Sequence, residues 1–512
     1  MILVATASSD TYITNKIVNN SIVVSDANVG RAATLDLFKL YNETNLNGTA
    51  SQIEISRILI KFDLQSITDN LSTINLNSSS FKATLKLYDI IAGNPMPANF
   101  NVIIYPLSQS FDEGVGRDTI SFNDIDVANF VTASYTSQSN LWFASGANSL
   151  GLLGSNNIDC ISSGNLGSGV VDLFATQNFF KGTEDLSIDV TRIVSATISN
   201  KIPDKGLRIS FTTSEETDMK TRFVKRFASR HVSNPLLRPK ILIQYDDSIK
   251  DSSKFFTFDS SGTLFLQTFQ GSAPANIVSG SSLTPVTGLN SLILTLNTGT
   301  YNFVVTGSQH SAGTSASFVT GVYSASFALP SNLTNTTFSG SDTLANVIAA
   351  SGSVNFTTYW KSLDGTFGYH TGSLTITRPT SIQANFTSRN PLLKVTNANP
   401  FYTVKDKVRF RIFGVDLNRQ FSQPVKRPRR LDSIIYDKVY YQVIDRSTGN
   451  VIIPYDTVNN STLLSIDSQG MFFDFYMQAL VPGRSYGFQF FIVDRGQSYL
   501  SKEDDTHFDV RP

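Results

Sequence analysis

Arg57-Ile-Leu-Ile-Lys-Phe62 and, further on, Ala83-Thr-Leu-Lys-Leu-Tyr88 set the class of this chain. In both, alternate side chains can face one core, the period of a pleated strand. Asp69-Asn-Leu-Ser72 and Leu76-Asn-Ser-Ser-Ser80 lie between them. Such polar stretches end strand pairing and reverse the chain. The reading is an all-β protein that begins with a jelly-roll-like sandwich.

Composition agrees with that class. Only 16% of the residues are charged, against about 25% in an average domain. The 37 Phe and 18 Tyr supply bulk suited to half-buried sheets. At 512 residues the chain exceeds what one core can serve, so two to four domains are expected. With Lys+Arg 41 against Asp+Glu 41, no global field draws the chain to nucleic acid or an anionic membrane, and neither is an expected partner. The single Cys160 excludes internal disulfides and multi-cysteine metal sites. Met1 to Asp10 lacks the basic and long apolar regions of an export signal, so synthesis in a host cytoplasm is expected.

One segment departs from period two. In Ile188 to Ile198, apolar residues fall at Val190, Ile193, Val194 and Ile198, which is helical spacing. Asp189 or Ser187 is placed to cap its free amides. A single short helix closing one end of the first sandwich is expected. The strand Lys240-Ile-Leu-Ile-Gln-Tyr245 then gives way to the polar run Asp246 to Ser253, which marks a first boundary.

The domains are read as 1–247, 254–393 and 397–512. The second is a Ser/Thr/Gly-rich all-β region of one or two small sandwiches. It is almost free of charge between Gln270 and Tyr359, and its surface is expected to be covered by another subunit. The third is an immunoglobulin-like sandwich with strands at Lys407 to Phe413, Tyr440 to Asp445, Met471 to Tyr476 and Tyr486 to Val493. Its Leu480-Val-Pro-Gly-Arg-Ser-Tyr486 resembles the turn of fibronectin type III folds in which a tyrosine hydroxyl ties the strand back.

Residues for chemistry are sparse. His231, His310, His370 and His507 lie in different regions with no partner at metal-ligand spacing, and neither His-Glu-x-x-His nor Gly-x-Ser-x-Gly occurs. Gly164 to Gly169 is a loop, not a phosphate cradle. Asp112-Glu113 and Glu215-Glu216 are candidate glycosidase pairs, but adjacent acids are usually solvated. No catalytic residue, cofactor or metal is expected.

Two basic clusters form the candidate interaction surface: Arg222, Lys225, Arg226, Arg230 and His231 in one, and Lys426, Arg427, Arg429 and Arg430 in the other. In the first, Phe223 and Phe227 interleave with the cations. That pattern allows stacking on a ligand, but apolar residues inward and cations on the wet face is the simpler expectation.

The first 247 residues resemble the DNRLRE-type β-sandwich modules, which are carbohydrate-binding-module-like. The matching segments are Asp10-Thr-Tyr-Ile13, Arg57 to Leu64, Ala83 to Tyr88, Phe111-Asp-Glu-Gly114, the helix after Asp189, and Phe227-Ala-Ser-Arg230 running to Arg238-Pro-Lys-Ile241. Phe111 stands where the pattern has tryptophan, and His231 where it has glutamate. With uncharged sandwiches downstream, the layout resembles virion structural proteins of tailed phages. The resemblance implies a non-catalytic component of a neck, tail, baseplate or head decoration, located in the virion. It would be a homo-oligomer in contact with other virion proteins. The alternative it implies is an adhesion protein recognising host surface glycans.

Overall fold

The computed structural model describes the chain except residues 45, 47–51, 70–73, 75, 91–96, 122–123, 168, 254–255, 271–272, 280–282, 299–300, 312–317, 334–342, 380–389, 418–432, 468, 495 and 502–505. Strands hold 51% of the residues and helices 7%, so the all-β class stands. The chain divides into two compact units. One is Ile2–Asp69 with Phe81–Gln244; the other is Tyr245–Pro512 with Met1 and Asn70–Ser80.

Strand Ile2–Thr14 organises the first unit because it serves two layers. Its opening part, Ile2 to Thr6, pairs antiparallel with Gln244 to Lys240. After a register shift between Ala7 and Ser9, the remainder pairs with Phe62 to Ser56. A bulge of this kind bends a strand and lets it pass from one sheet to the next. On one side of this strand the order continues through Lys240–Gln244, Lys82–Leu87 and Leu186–Asp189. On the other it runs through Ile53–Phe62, Leu207–Phe211, Phe100–Pro106 and Ala175–Phe179. Strand Thr34–Tyr41 branches from Ile53–Phe62 and carries Arg222–Ala228.

Period two is visible in the packing, since Ala83, Leu85 and Leu87 are fully buried between half-buried neighbours. Phe100 stacks on Phe179 at 5.0 Å and meets Phe211 edge-on at 5.4 Å. Cys160 is a buried free thiol in the same unit, packed near Trp142 and Phe111. Helix Thr191–Ile198 buries Ile193, Val194, Ala196 and Ile198, as the spacing requires. The amide of its first residue, Thr191, donates to Asp189 Oδ1 at 2.8 Å, but the cap position is held by Val190, which makes no side-chain cap bond, so neither Asp189 nor Ser187 is the expected cap. The unit also holds the short helices Gln65–Thr68 and Thr213–Thr217, so the expectation of a single helix was too few. Neither exceeds five residues, too short for a periodic apolar stripe to be read.

In the second unit a seven-stranded sheet runs in the order Phe256–Thr257, Gly368–Thr377, Ser353–Lys361, Leu292–Thr298, Tyr301–Ser311, Phe318–Ala328 and Ser261–Gln267. It surrounds a core that includes Leu294, Tyr323, Phe356 and Trp360, with helix Leu344–Ser351 packed in through Leu344 and Ile348. The same unit carries a two-sheet sandwich. Pro391–Val395, Lys407–Asp416, Gly470–Tyr476 and Ser465–Asp467 form one sheet. Phe401–Thr403, His507–Arg511, Arg484–Asp494, Lys438–Asp445 and Val451–Ile453 form the other, with Gln497–Leu500 beside Arg484–Asp494. Between them Tyr441 stacks on Phe473 at 4.3 Å and Phe410 meets Phe488 at 4.9 Å. The Tyr486 hydroxyl donates to Val481 O at 2.8 Å and accepts from Val481 N at 3.1 Å, closing the turn read from Leu480 to Tyr486.

Candidate functional site

Three distant segments, Asp10-Thr-Tyr-Ile13, Phe111 to Gly114 and Phe227 to His231, meet at one charged cluster in the first unit. Asp10 arrives on strand Ile2–Thr14, and its amide donates to Glu113 Oε1 at 2.9 Å. Arg230 follows the end of strand Arg222–Ala228. Its Nε reaches Glu113 Oε1 at 2.5 Å, its Nη2 bonds Oε2, and its backbone amide donates to Asp10 Oδ2 at 2.6 Å. His231 Nε2 stands 3.3 Å from Glu113 Oε1.

The loop that presents Glu113 is fixed by Asn28, which is fully buried. Asn28 Nδ2 donates to Glu113 O and Ala128 O, each at 2.8 Å, and its Oδ1 accepts from the amides of Gly30 and Gly116. Both donors are used, and the oxygen accepts two bonds. Gly30 is required here because a Cβ would lie 1.9 Å from Glu113 O. On the other flank, Ser229 Oγ donates to Ala32 O at 2.6 Å and accepts from the His231 amide at 3.0 Å.

The electrostatics of the two carboxylates diverge. Burial pushes the Asp10 carboxyl up to about 7, opposed by the Arg230 amide and reinforced by the negative charge of Glu113. Asp10 is only 1% exposed, and its Oδ1 has no hydrogen-bond partner among the described residues. Burial acts against ionisation of Glu113 too. There the hydrogen bonds from Arg230 and the Asp10 amide, with the charge of Arg230, hold the carboxyl below its ordinary value. Asp10, Glu113 and His231 each offer a ligand-type atom, all within 4.8 Å of one another. Spacing along the chain gave no sign of this, because the three residues come from three segments brought together only by the fold.

The first basic cluster is placed differently from the simple expectation. Strand Arg222–Ala228 shifts register against Thr34–Tyr41 between Arg222 and Lys225. The shift turns Phe223 outward at 47% exposure and Lys225 inward at 0%. Lys225 is therefore withdrawn from the candidate interaction surface. Its Nζ bonds Asp89 Oδ1, Gly182 O at 2.7 Å and Glu184 O at 2.8 Å, with the rings of Phe179 and Phe227 about it. Burial pushes the Lys225 ammonium below its ordinary value, while Asp89 works against that shift.

Arg222 forms two bonds to Asp218, at 2.9 and 2.7 Å, and Arg226 two to Asp36, both at 2.8 Å. Arg222, Arg226, Arg230 and His231 keep partial exposure. Lys426, Arg427, Arg429 and Arg430 lie outside the described residues.

The candidate acid pairs are occupied. Glu216 grips Arg57 through two bonds, at 2.9 and 2.6 Å. Glu215 completes a capping box with Thr212 and accepts from the Asn101 amide at 2.8 Å. Asp112 accepts from the Tyr135 amide at 2.8 Å. Phe111, in the place of the pattern's tryptophan, is buried and so presents no ring to solvent. An open groove of about 670 Å³ lies elsewhere in the unit, lined by Phe174, Gln177, Asp189 and Arg192 among others.

No family model matches the chain, and no curated protein does. Among solved structures, the fibronectin(III)-like modules of Clostridium thermocellum CbhA align at 10% identity over 52% of this chain and 90% of theirs, with a TM-score of 0.14. Dimeric latent PorU from Porphyromonas gingivalis aligns at 10% identity over 94% of this chain, with a TM-score of 0.18; the chain spans about a third (34%) of its length. A putative membrane anchored protein from Corynebacterium diphtheriae aligns at 9% identity over 100% of this chain and 97% of its own, with a TM-score of 0.13. Likenesses this slight assign no activity.

Proposed function

We propose that this chain is a non-catalytic structural component of a bacteriophage particle, in a neck, tail, baseplate or head decoration. It assembles as a homo-oligomer and with other virion proteins through its β-sandwich surfaces. The observation that carries this reading is the commitment of Glu113, Glu215 and Glu216 to internal struts. Each holds two or more segments together, which supports a structural role for them. The DNRLRE-like signature followed by Ser/Thr-rich sandwiches supports the phage setting. The near absence of charge between Gln270 and Tyr359 supports coverage by a neighbour.

The test is the light-scattering mass of the purified chain together with mass spectrometry of particles that encode it. A discrete oligomer and a fixed copy number per particle are expected. A monomer at high concentration that is absent from particles would remove the proposal.

The groove beside Phe174 favours a second reading, recognition of host surface glycans, because Phe174 is 41% exposed among polar side chains that can bond hydroxyls. On that reading Phe174→Ala abolishes signals on a glycan array. An array without signals for the unaltered chain rejects it.

A further inference from the structure

We propose that Asp10, Glu113 and His231 bind a divalent transition-metal ion that clasps the three signature segments of the first unit. Each residue brings a ligand-type atom to a volume less than 5 Å across, the atoms lying within 4.8 Å of one another. Two carboxylates and an imidazole form a donor set suited to zinc or manganese, whereas calcium and magnesium prefer oxygen alone.

The second observation is independent of that proximity. Asp10 Oδ2 is taken by the Arg230 amide, while Oδ1 has no partner among the described residues although Asp10 is 1% exposed. A buried carboxylate oxygen left in this condition is costly. A cation at Oδ1 removes that cost.

Charge allows it. Arg230 balances Glu113, and Asp10 adds a negative charge only in its ionised form, the form a bound cation would favour. Arg230 keeps its bond to Glu113 Oε2, while its Nε and the Asp10 amide, which now donate to Oε1 beside His231, would share that oxygen with the ion or yield it. Asn28 and Ser229 already fix the two loops, so the ion meets prepared ligands. His231 and Arg230 are 26% and 33% exposed, which opens the cluster to solvent on one side.

The experiment is calorimetric titration of the full chain, first stripped with a chelator, using zinc chloride and, separately, manganese chloride. The expected result is one equivalent bound with a rise in Tm. Asp10→Asn keeps an acceptor for the Arg230 amide but removes the charge. It is expected to fold with equal or greater stability in the stripped state and to lose the metal-dependent rise. His231→Ala, at a partly exposed turn, tests the site without touching a buried group. It should weaken binding by more than the roughly 10- to 100-fold that outer-shell changes cost. His231→Glu, which restores a ligand, should recover binding of manganese. The proposal is overturned if neither ion binds saturably, or if binding is the same in Asp10→Asn and His231→Ala as in the unaltered chain.

Discussion

Lys225 Nζ carries three protons and meets three acceptors, so a fully enclosed ammonium is left with nothing unsatisfied. Replacing it with alanine strands Asp89 in the same enclosure. Lys225→Ala is expected to cost ~3 kcal/mol or more, read as a lowered midpoint in urea. The double variant Lys225→Met with Asp89→Leu should recover most of that loss.

Asp251, in the other unit, is a buried acid with the opposite character. Burial lifts its carboxyl to about 6, aided by the charge of Asp467 and opposed by the bonds from Ser253. Between about pH 4 and about 6, the folded chain holds a proton that the unfolded chain has released. Stability must therefore fall as pH rises through that window and stay at the lower level above it. Asp251→Asn should flatten this slope and add up to about 3 kcal/mol at pH 8. Unfolding measured at pH 4 and pH 8 checks the sign. A variant no more stable than the parent at pH 8 would refute it.

Among the elements, the turn before strand Arg484–Asp494 was legible because a tyrosine six residues after Leu480, behind Pro482 and Gly483, has one good use. The Tyr486 hydroxyl closes the loop on both polar groups of Val481. Tyr486→Phe leaves that amide and carbonyl unpaired and should lower stability by about 1 to 2 kcal/mol, seen by urea unfolding.

The helix at Thr191–Ile198 was equally legible, since period 3.6 stands out within a chain of period two. The inward turn of Lys225 was not. It depends on one register shift against Thr34–Tyr41, and every residue after such a shift changes face. The spelling Thr212-Thr-Ser-Glu215 did mark Glu215 as a helix cap, a signal present in the sequence but overshadowed by its neighbour Glu216. Asn28 and Gly30 had no such signal. Their role exists only where the loop around Glu113 arrives from far along the chain.

At the scale of the whole molecule, two compact units imply separate transitions on heating. Scanning calorimetry should show Lys225→Ala lowering one transition and Asp251→Asn, at pH 8, raising the other. A single transition moved by both variants would show that the cores unfold together. Fold class was legible here because alternation, aromatic content and turn composition all point one way. The charged cluster was hidden because its residues are separated by over a hundred positions, from Asp10 to Glu113 and again to His231.

The two-layer strand Ile2–Thr14 also sets a clock. Its second part can find Ser56 to Phe62 soon after synthesis, but its first part waits for Lys240 to Gln244. At ordinary elongation rates that interval is roughly 10 s or longer, during which Ile2, Leu3 and Ala5 lack the strand that later covers them. A growing chain in this state offers an apolar edge to its neighbours. The yield of native protein should therefore depend on how well the translating cell shields nascent chains, and less on the stability of the finished fold.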